Sequence, residues 1–213
     1  LADNWLNYNR NLKTNIFARD RFNYDVLCHT DLSRTSGESF GTPLNRINWG
    51  NYDLVVIDES HNFRNNTPGK RDEDGNLIRK SRYQRLMDDL IKSGVRTKVL
   101  LLSATPVNND LKDLRNQLYF PTENRDDAFA ESIGVGSLKE TLATAQKVFS
   151  LWAKKQTHER KTSELLEKLN AAFFKLLDQL TIARSRQHIQ KYYKATIAQL
   201  GGCPQREKPV SIY

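Results

Sequence analysis

Two adjacent carboxylates follow an apolar run, at a position where they could bind a metal ion and activate water. Residues 52–57 have a β-branched core that predicts a strand, and Asp58, Glu59, Ser60 and His61 come directly after it. Because burying ionised carboxylates is costly, the pair should emerge at the strand's end. There Asp58 can hold Mg²⁺, through water because this cation dehydrates reluctantly, and Glu59 can orient and deprotonate the water that attacks a γ-phosphate. The alternative is a strand that ends in a solvated Asp-Glu turn.

A second group of candidate side chains follows the next apolar run. Residues 98–102 predict another strand, and Ser103, Ala104 and Thr105 come directly after it. Small hydroxyl side chains at a strand end can hydrogen-bond a neighbouring catalytic loop. The alternative is an ordinary Ser/Thr turn that ends at Pro106.

The elements between these two groups indicate an α/β fold with a mostly parallel sheet. Residues 65–80 are polar and predict an exposed loop, after which Ser81 and Gln84 form a capping box. Five apolar residues then share one helical face: Tyr83, Leu86, Met87, Leu90 and Ile91. The order strand, loop, helix, strand predicts strands buried on both faces of a parallel sheet. Ligands bind such sheets at the carboxyl ends of the strands, which here means just after Ile57 and Leu102.

Weaker signals predict the remaining elements of the N-terminal part. They are a short helix over 4–12, a strand over 24–30 and a loop over 33–43. Asn109 or Asp110 should begin a further helix that runs to about Tyr119.

The last third of the chain has a helical pattern instead. Apolar residues recur at alternating four- and three-residue steps, first at Leu138, Leu142, Ala145, Phe149 and Trp152, then at Leu165 or Leu166, Leu169, Phe173, Leu176 and Leu180. Two long amphipathic helices, a helical hairpin with its turn near 157–162, are the expected structure. The predicted organisation is therefore an α/β part over 1–136, a basic helical segment over 137–200 and a linker over 201–213.

The charge is distributed unevenly between these parts. Residues 1–136 carry 19 basic and 19 acidic residues, whereas residues 137–213 carry 14 and 6, so the whole net charge of +8 lies in the last third. This asymmetry predicts a polyanionic partner such as nucleic acid. The alternative is a solvated basic helical face.

Three basic residues of this segment are candidates for contact with nucleic-acid phosphates. Arg184 and Lys191 share a helical face with His188, and Arg186 lies nearby in sequence. The alternatives are a brace between two lobes and a solvated face.

Other residue classes exclude several kinds of protein. Cys28 and Cys203 form neither a metal-spaced cluster nor a disulfide framework, which predicts reduced thiols in a cytoplasmic protein. No apolar run approaches the roughly 20 residues of a membrane span, so no membrane partner is expected. His29, His158 and His188 lack ligand-spaced partners, so a histidine metal site is not expected.

The two candidate groups together resemble a known family. Asp58-Glu59-Ser60-His61-Asn62-Phe63-Arg64-Asn65 and Ser103-Ala104-Thr105-Pro106-Val107-Asn108-Asn109 are similar to motifs II and III of superfamily 2 helicases. Within that superfamily they look like the Swi/Snf-like ATP-dependent DNA translocases, in their bacterial helicase-like form. The resemblance extends to Asn4-Trp5, to residues 30–34 and to Ala183-Arg184-Ser185-Arg186 followed by Pro204 and Lys208. It implies that residues 1–136 are the C-terminal part of a first RecA-like P-loop NTPase lobe.

The resemblance also implies roles for individual residues. Asp58 and His61 would lie against bound Mg²⁺–ATP, and Glu59 would be the catalytic base. His61, with Ser103 and Thr105, would couple ATP hydrolysis to movement of the lobes.

The implied partner is double-stranded DNA, with translocation commoner than strand separation in the family. Arg34 and its loop would lie near the nucleic-acid track. Contacts to the phosphate backbone would make binding sensitive to salt.

The chain departs from the family pattern in two respects. Ser60 stands where many relatives have Ala, and no Gly-x-x-x-x-Gly-Lys-Ser/Thr loop occurs in the sequence. The family places that loop upstream of Leu1 and the second RecA-like lobe, with its arginine finger, after Tyr213. We therefore expect the isolated chain to be inactive. The competing interpretation is a non-catalytic DNA- or protein-binding scaffold derived from a degenerate motor domain.

Overall fold

The computed structural model describes residues 3–6, 19, 23–183, 185–199 and 201, with only the main chain at 186 and 196. The described residues combine short strands with many helices, as predicted for a chain of the α/β class. Three two-stranded sheets are present in this part of the chain, and one of them is parallel. The strands are β1 (Glu38–Ser39), β2 (Thr42–Pro43), β3 (Leu54–Ile57), β4 (Lys70–Arg71), β5 (Leu77–Arg79) and β6 (Lys98–Leu101).

The parallel pair β3 and β6 is the element that positions the candidate site. Its register aligns Leu54 with Lys98 and Ile57 with Leu101, so both carboxyl ends lie at the same edge. Ile57 is buried against a helix, but Leu54, at 52% exposure, and Leu100 lie on an uncovered face. The prediction of strands buried on both faces is therefore wrong for the described residues, because a helical layer covers one face only.

The helices after residue 23 are numbered in chain order, and the first of them precedes β6. They are α1 (Arg82–Arg85), α2 (Lys112–Leu118), α3 (Ala130–Ile133), α4 (Leu138–Ala153), α5 (Thr162–Lys168), α6 (Ala171–Leu180), α7 (Arg186–Tyr192) and α8 (Lys194–Gln199). None of the helices in the described part is long and apolar enough to cross a membrane.

Helix α1 confirms the prediction made from its cap and its apolar face. The Ser81 hydroxyl accepts from the main-chain N–H of Gln84 at 3.0 Å, and the Gln84 side chain accepts from the N–H of Ser81. The helix continues as a π-helical stretch over Leu86–Ile91, where Lys92 N–H donates to Met87 O. Its predicted apolar face is buried throughout: Tyr83, Leu86, Met87, Leu90 and Ile91.

The predicted strand over 24–30 is wrong. Residues 23–28 have no regular structure and His29–Ser33 is a 3-10 turn. The cause is Asp31, which is 2% exposed and accepts from the Cys28 N–H at 2.8 Å and from the Ser39 hydroxyl at 2.5 Å. Such local bonds compete with a strand ladder. The helix predicted over 4–12 is present at 3–6, and its remaining residues lie outside the described part.

Two predicted loops contain short hairpins. Strands β1 and β2 pair within residues 33–43, and β4 and β5 pair within residues 65–80. The second hairpin has little apolar alternation, and side-chain bonds order its turn instead. Asp72 Oδ1 accepts from the N–H of Asn76 at 2.7 Å, and Gly75 adopts a positive φ of 85° between them.

Helix α2 begins close to where a cap was predicted. It starts at Lys112, whose N–H donates to Asp110 Oδ1 at 2.7 Å, so Asp110 satisfies one free N–H of the first turn. The assigned N-cap residue is Leu111, which makes no side-chain cap bond.

The helical segment is more divided than predicted. Helix α4 matches the first predicted helix, and a 3-10 turn over Thr157–Glu159 lies at the predicted reversal. The prediction of a single second helix is wrong, because the structure divides it into α5 and α6. Asn170 Oδ1 accepts from the Phe173 N–H at 2.8 Å and so starts α6.

Two apolar clusters form the interior of the described part. One contains Ile57, Phe63, Phe120 and the buried face of α1. The other contains Leu111, Leu114 and Leu118 of α2 together with buried residues of α4, α5 and α6. Helix α2 therefore packs with the helices that follow residue 136, while the predicted division of the chain at that residue stays a prediction.

Candidate functional site

The candidate site lies where β3 and β6 end side by side. Ile57 and Leu101 are register partners, and the N–H of Leu102 donates to the Ile57 carbonyl at 2.9 Å. The N–H of Ser60 then donates to the Leu102 carbonyl at 2.9 Å. These main-chain bonds hold the turn after β3 against the turn after β6.

Asp58 is the first residue beyond β3 and is half-buried. Its Oδ1 accepts from the N–H of Glu59 at 2.9 Å, and its Oδ2 accepts from the indole N–H of Trp5 at 3.2 Å. Each carboxylate oxygen has two lone pairs, so both retain one for a further partner. The side chain is thus oriented by the protein while it can still accept a bond from metal-bound water.

Glu59 has a left-handed main chain, with φ of 49° and ψ of 46°. This conformation is uncommon for residues other than glycine, and strain of this kind clusters at functional sites. The turn directs the carboxylate outward, where the side chain is 48% exposed. The Glu59 carboxylate is thus presented to solvent next to Asp58 by a left-handed turn.

His61 joins the two turns through one ring nitrogen. Its Nδ1 lies 3.2 Å from Glu59 Oε2 and 3.2 Å from Ser103 Oγ. An N–H at Nδ1 can donate to the carboxylate, whereas the other tautomer accepts from the serine hydroxyl. The imidazole is therefore placed to exchange one contact for the other.

Ser103 and Thr105 contribute to the site in different ways. Ser103 Oγ contacts His61 and accepts from the main-chain N–H of Thr105 at 3.1 Å. Thr105 contributes this N–H, while its side chain is exposed. The structure thus brings Glu59, His61 and Ser103 together through their side chains and Thr105 through its main chain.

Sequence reasoning missed His29, which supports Asp58 from the other side. Its ring hydrogen-bonds the main chain of Asp58 and lies 4.9 Å from the Phe63 ring, between centroids. Burial lowers the pKa of His29 below its ordinary value, and the bond to Asp58 offsets this only in part. The His29 imidazole thus lies against the main chain of Asp58. No signal in the sequence connects it with Asp58, because the contact is long-range.

Trp5 is a hydrogen-bond donor to the site, a role that the sequence does not predict. The indole N–H donates to Asp58, and the Trp5 carbonyl accepts from the Tyr24 hydroxyl at 2.6 Å. The resemblance of Asn4-Trp5 to a helicase segment was the one available signal that this residue belongs near the site.

Of the four predicted nucleic-acid residues, Arg34 and Lys191 have described side chains. Arg34 follows the 3-10 turn and forms an ion pair with Asp31. Lys191 lies on α7, with its amine 5.1 Å from the centroid of the Tyr192 ring. Arg184 lies outside the described residues, and Arg186 is described by its main chain only.

The carboxylate oxygens at the turn after β3 are ligands of the kind that suit a nucleotide-bound Mg²⁺. This cation takes oxygen ligands, keeps several waters and uses one or two protein carboxylates together with substrate phosphates. Asp58 and Glu59 supply such oxygens. Within the described ranges, no group of three or more His, Cys, Asp or Glu side chains is placed to hold a metal ion.

Comparison with known proteins gave no match. No family model matches the chain, and neither the curated proteins nor the solved structures contain a significant match.

Proposed function

We propose that this chain is part of the ATPase motor of a helicase-like DNA translocase, within a RecA-like lobe. The observation that carries the proposal is the meeting of Glu59, His61 and Ser103 at the carboxyl ends of two parallel strands. Ligands of α/β proteins bind at that edge. The resemblance to motifs II and III assigns the same three residues to ATP hydrolysis and its coupling.

The chemistry of the turn supports nucleotide hydrolysis. Asp58 is oriented by Trp5 and by the Glu59 N–H, so it can receive a water ligand of Mg²⁺ without first reorganising. Glu59 is exposed and can accept a proton from an attacking water. Bound Mg²⁺–ATP would supply the γ-phosphate and the cation that neutralises its charge.

The contact between His61 and Ser103 supports a coupling role. His61 contacts both the proposed base, Glu59, and Ser103 of the turn after β6. A change in the contacts of Glu59 therefore changes the contact between His61 and Ser103. The turn after β6 leads into α2, which packs with the basic helical segment. ATP hydrolysis at Glu59 can thus shift the position of α2 and of the basic helical segment that packs with it.

Double-stranded DNA is the proposed track. Residues 137–213 carry the whole net charge of +8, and Arg34, Arg184, Arg186 and Lys191 are the proposed phosphate contacts. Such contacts release counterions, so affinity should fall steeply with salt. The phosphate-binding loop and the second lobe are expected from sequence outside these residues, and the isolated chain is expected to be inactive.

The test is steady-state ATP hydrolysis by the full-length protein that contains this chain, with and without double-stranded DNA. Hydrolysis that DNA stimulates supports the motor. Hydrolysis absent under both conditions would favour the non-catalytic scaffold.

A further inference from the structure

The two turns of the site share a second connection, which is buried and centres on Gln117. This side chain of α2 is 1% exposed. Its Oε1 accepts from the Ser60 hydroxyl at 2.9 Å, and its Nε2 donates to the carbonyls of Pro106 at 2.6 Å and Asp113 at 3.0 Å. Ser60 itself is 0% exposed.

A buried amide is stable only when its polar atoms are paired, and both polar atoms of Gln117 are paired here. Its three partners lie on the turn after β3, on the loop after β6 and in α2. One side chain therefore bridges the two site turns, in addition to the main-chain bonds between them. This link is shielded from water, whereas His61 and Glu59, which form the outer link, are both partly exposed.

Helix α2 is well placed to carry such a residue. Next to Gln117, the Asn116 side chain donates to the Arg64 carbonyl at 2.6 Å, where the turn after β3 ends. The first turn of α2 is tied to α4, since the Leu111 N–H donates to Gln146 Oε1 at 2.8 Å. Asn116 and Gln117 thus connect α2 to both turns by their side chains.

We propose that Gln117 is a positioning residue of the site, which holds the turn of Glu59 against the loop of Ser103 through its bonds to Ser60 and Pro106. The inference rests on the proposed function, because the reaction whose geometry it maintains is ATP hydrolysis. Ser60 is the partner on the turn after β3 through which Gln117 acts.

The kinetic test uses Gln117→Met and Ser60→Ala in the full-length protein. Methionine matches the length of glutamine but makes none of the three hydrogen bonds. Displacing catalytic groups by about 1 Å can cost on the order of 100-fold in rate. We expect kcat for ATP hydrolysis to fall by about 10- to 100-fold in Gln117→Met, with KM for ATP unchanged. Because both residues act through one bond, the double variant should lose less than the product of the two single losses.

Gln146→Met is the matched control. It is the same substitution, and it removes a hydrogen bond to Leu111 at the start of α2 but neither bond that links Gln117 to the two turns. Its kcat should equal that of the wild type even where its thermal stability falls. Equal loss of kcat in the two methionine variants, or strictly multiplicative losses for Ser60 and Gln117, would overturn the inference.

Amide hydrogen exchange provides a readout that does not depend on activity. The N–H groups of Ser60 and Leu102 are bonded across the two turns. They should exchange faster in Gln117→Met and in the milder Ser60→Ala, but not in Gln146→Met. Unchanged exchange would overturn the positioning role. A wild type that hydrolyses no ATP while its variants show the faster exchange would contradict the proposed function and leave the positioning role supported.

Discussion

His61 Nδ1 lies 3.2 Å from Ser103 Oγ, across 42 residues of sequence, and it lies equally close to Glu59 Oε2. The contact is possible because β3 and β6 are parallel and in register up to Ile57 and Leu101. A carboxylate, an imidazole and a hydroxyl are thus assembled from two separate strand ends. This arrangement is what distinguishes the site from a solvated acidic turn.

The unequal roles of Ser103 and Thr105 give the first prediction. Ser103→Ala removes the hydroxyl that contacts His61 and the Thr105 N–H, whereas Thr105→Ala leaves that N–H in place. We expect DNA-stimulated hydrolysis by the full-length protein to fall about tenfold in Ser103→Ala, which is about 1.4 kcal/mol, the scale of one hydrogen bond. Thr105→Ala should change it by less than about twofold. The reverse order of effects would show that the threonine side chain carries the coupling.

The buried carboxyl of Asp31 gives a prediction about acid stability. Burial alone would raise the pKa of Asp31, but hydrogen bonds from Ser39, Arg34 and the Cys28 N–H outweigh it, so the pKa lies below its ordinary value. A lowered pKa in the folded state stabilises the fold above the ordinary value near 3.9, and this contribution is lost as the pH falls through the folded-state pKa.

The measurement is the urea midpoint of the full-length protein between about pH 2 and pH 6. Asp31→Asn should be less stable at neutral pH and should lose less stability than the wild type as the pH falls below about 4. Ser39→Ala removes one of the bonds and should lie between the two. Parallel curves for wild type and Asp31→Asn would contradict this assignment.

The proposed phosphate contact of Lys191 gives a third prediction. Lys191→Ala should weaken double-stranded DNA binding and reduce the slope of log affinity against log salt by about 1. Lys168→Ala is the matched control, because Lys168 pairs with Glu164 at 2.7 Å. Binding should be measured by titration at several salt concentrations. Equal slopes for the wild type and Lys191→Ala would show that Lys191 does not contact a DNA phosphate.

Elements with local determinants could be predicted from the sequence. The capping box of Ser81 and Gln84 and the apolar face behind it contain their own start and spacing, and both were confirmed. The apolar runs ending at Ile57 and near Leu102 indicated strands, and their parallel pairing followed from the intervening helix. The same parallel pairing predicts that the residues after the two strands, among them His61 and Ser103, lie close together.

The remaining features depend on side-chain hydrogen bonds that the pattern of apolar residues does not reveal. Residues 24–30 are β-like in composition, but the hydrogen bonds accepted by the Asp31 side chain favour the 3-10 turn over His29–Ser33 instead of a strand. The apolar pattern predicts that Asn170 lies inside one long helix, whereas its side chain caps the start of α6. Gln117 carries no motif signal, because its three partners come together only when α2 packs against both turns.

The central claim is that the acidic turn after β3 hydrolyses ATP, and Glu59→Gln in the full-length protein tests it most directly. Glutamine keeps the shape of the side chain but cannot accept a proton from water. We predict that DNA-stimulated hydrolysis falls by a factor on the order of 100 to 10,000 while ATP binding is retained. Glu73→Gln, at the exposed turn of the β4–β5 hairpin, should leave both unchanged. Undiminished hydrolysis in Glu59→Gln would contradict the account, because the catalytic base would then lie elsewhere.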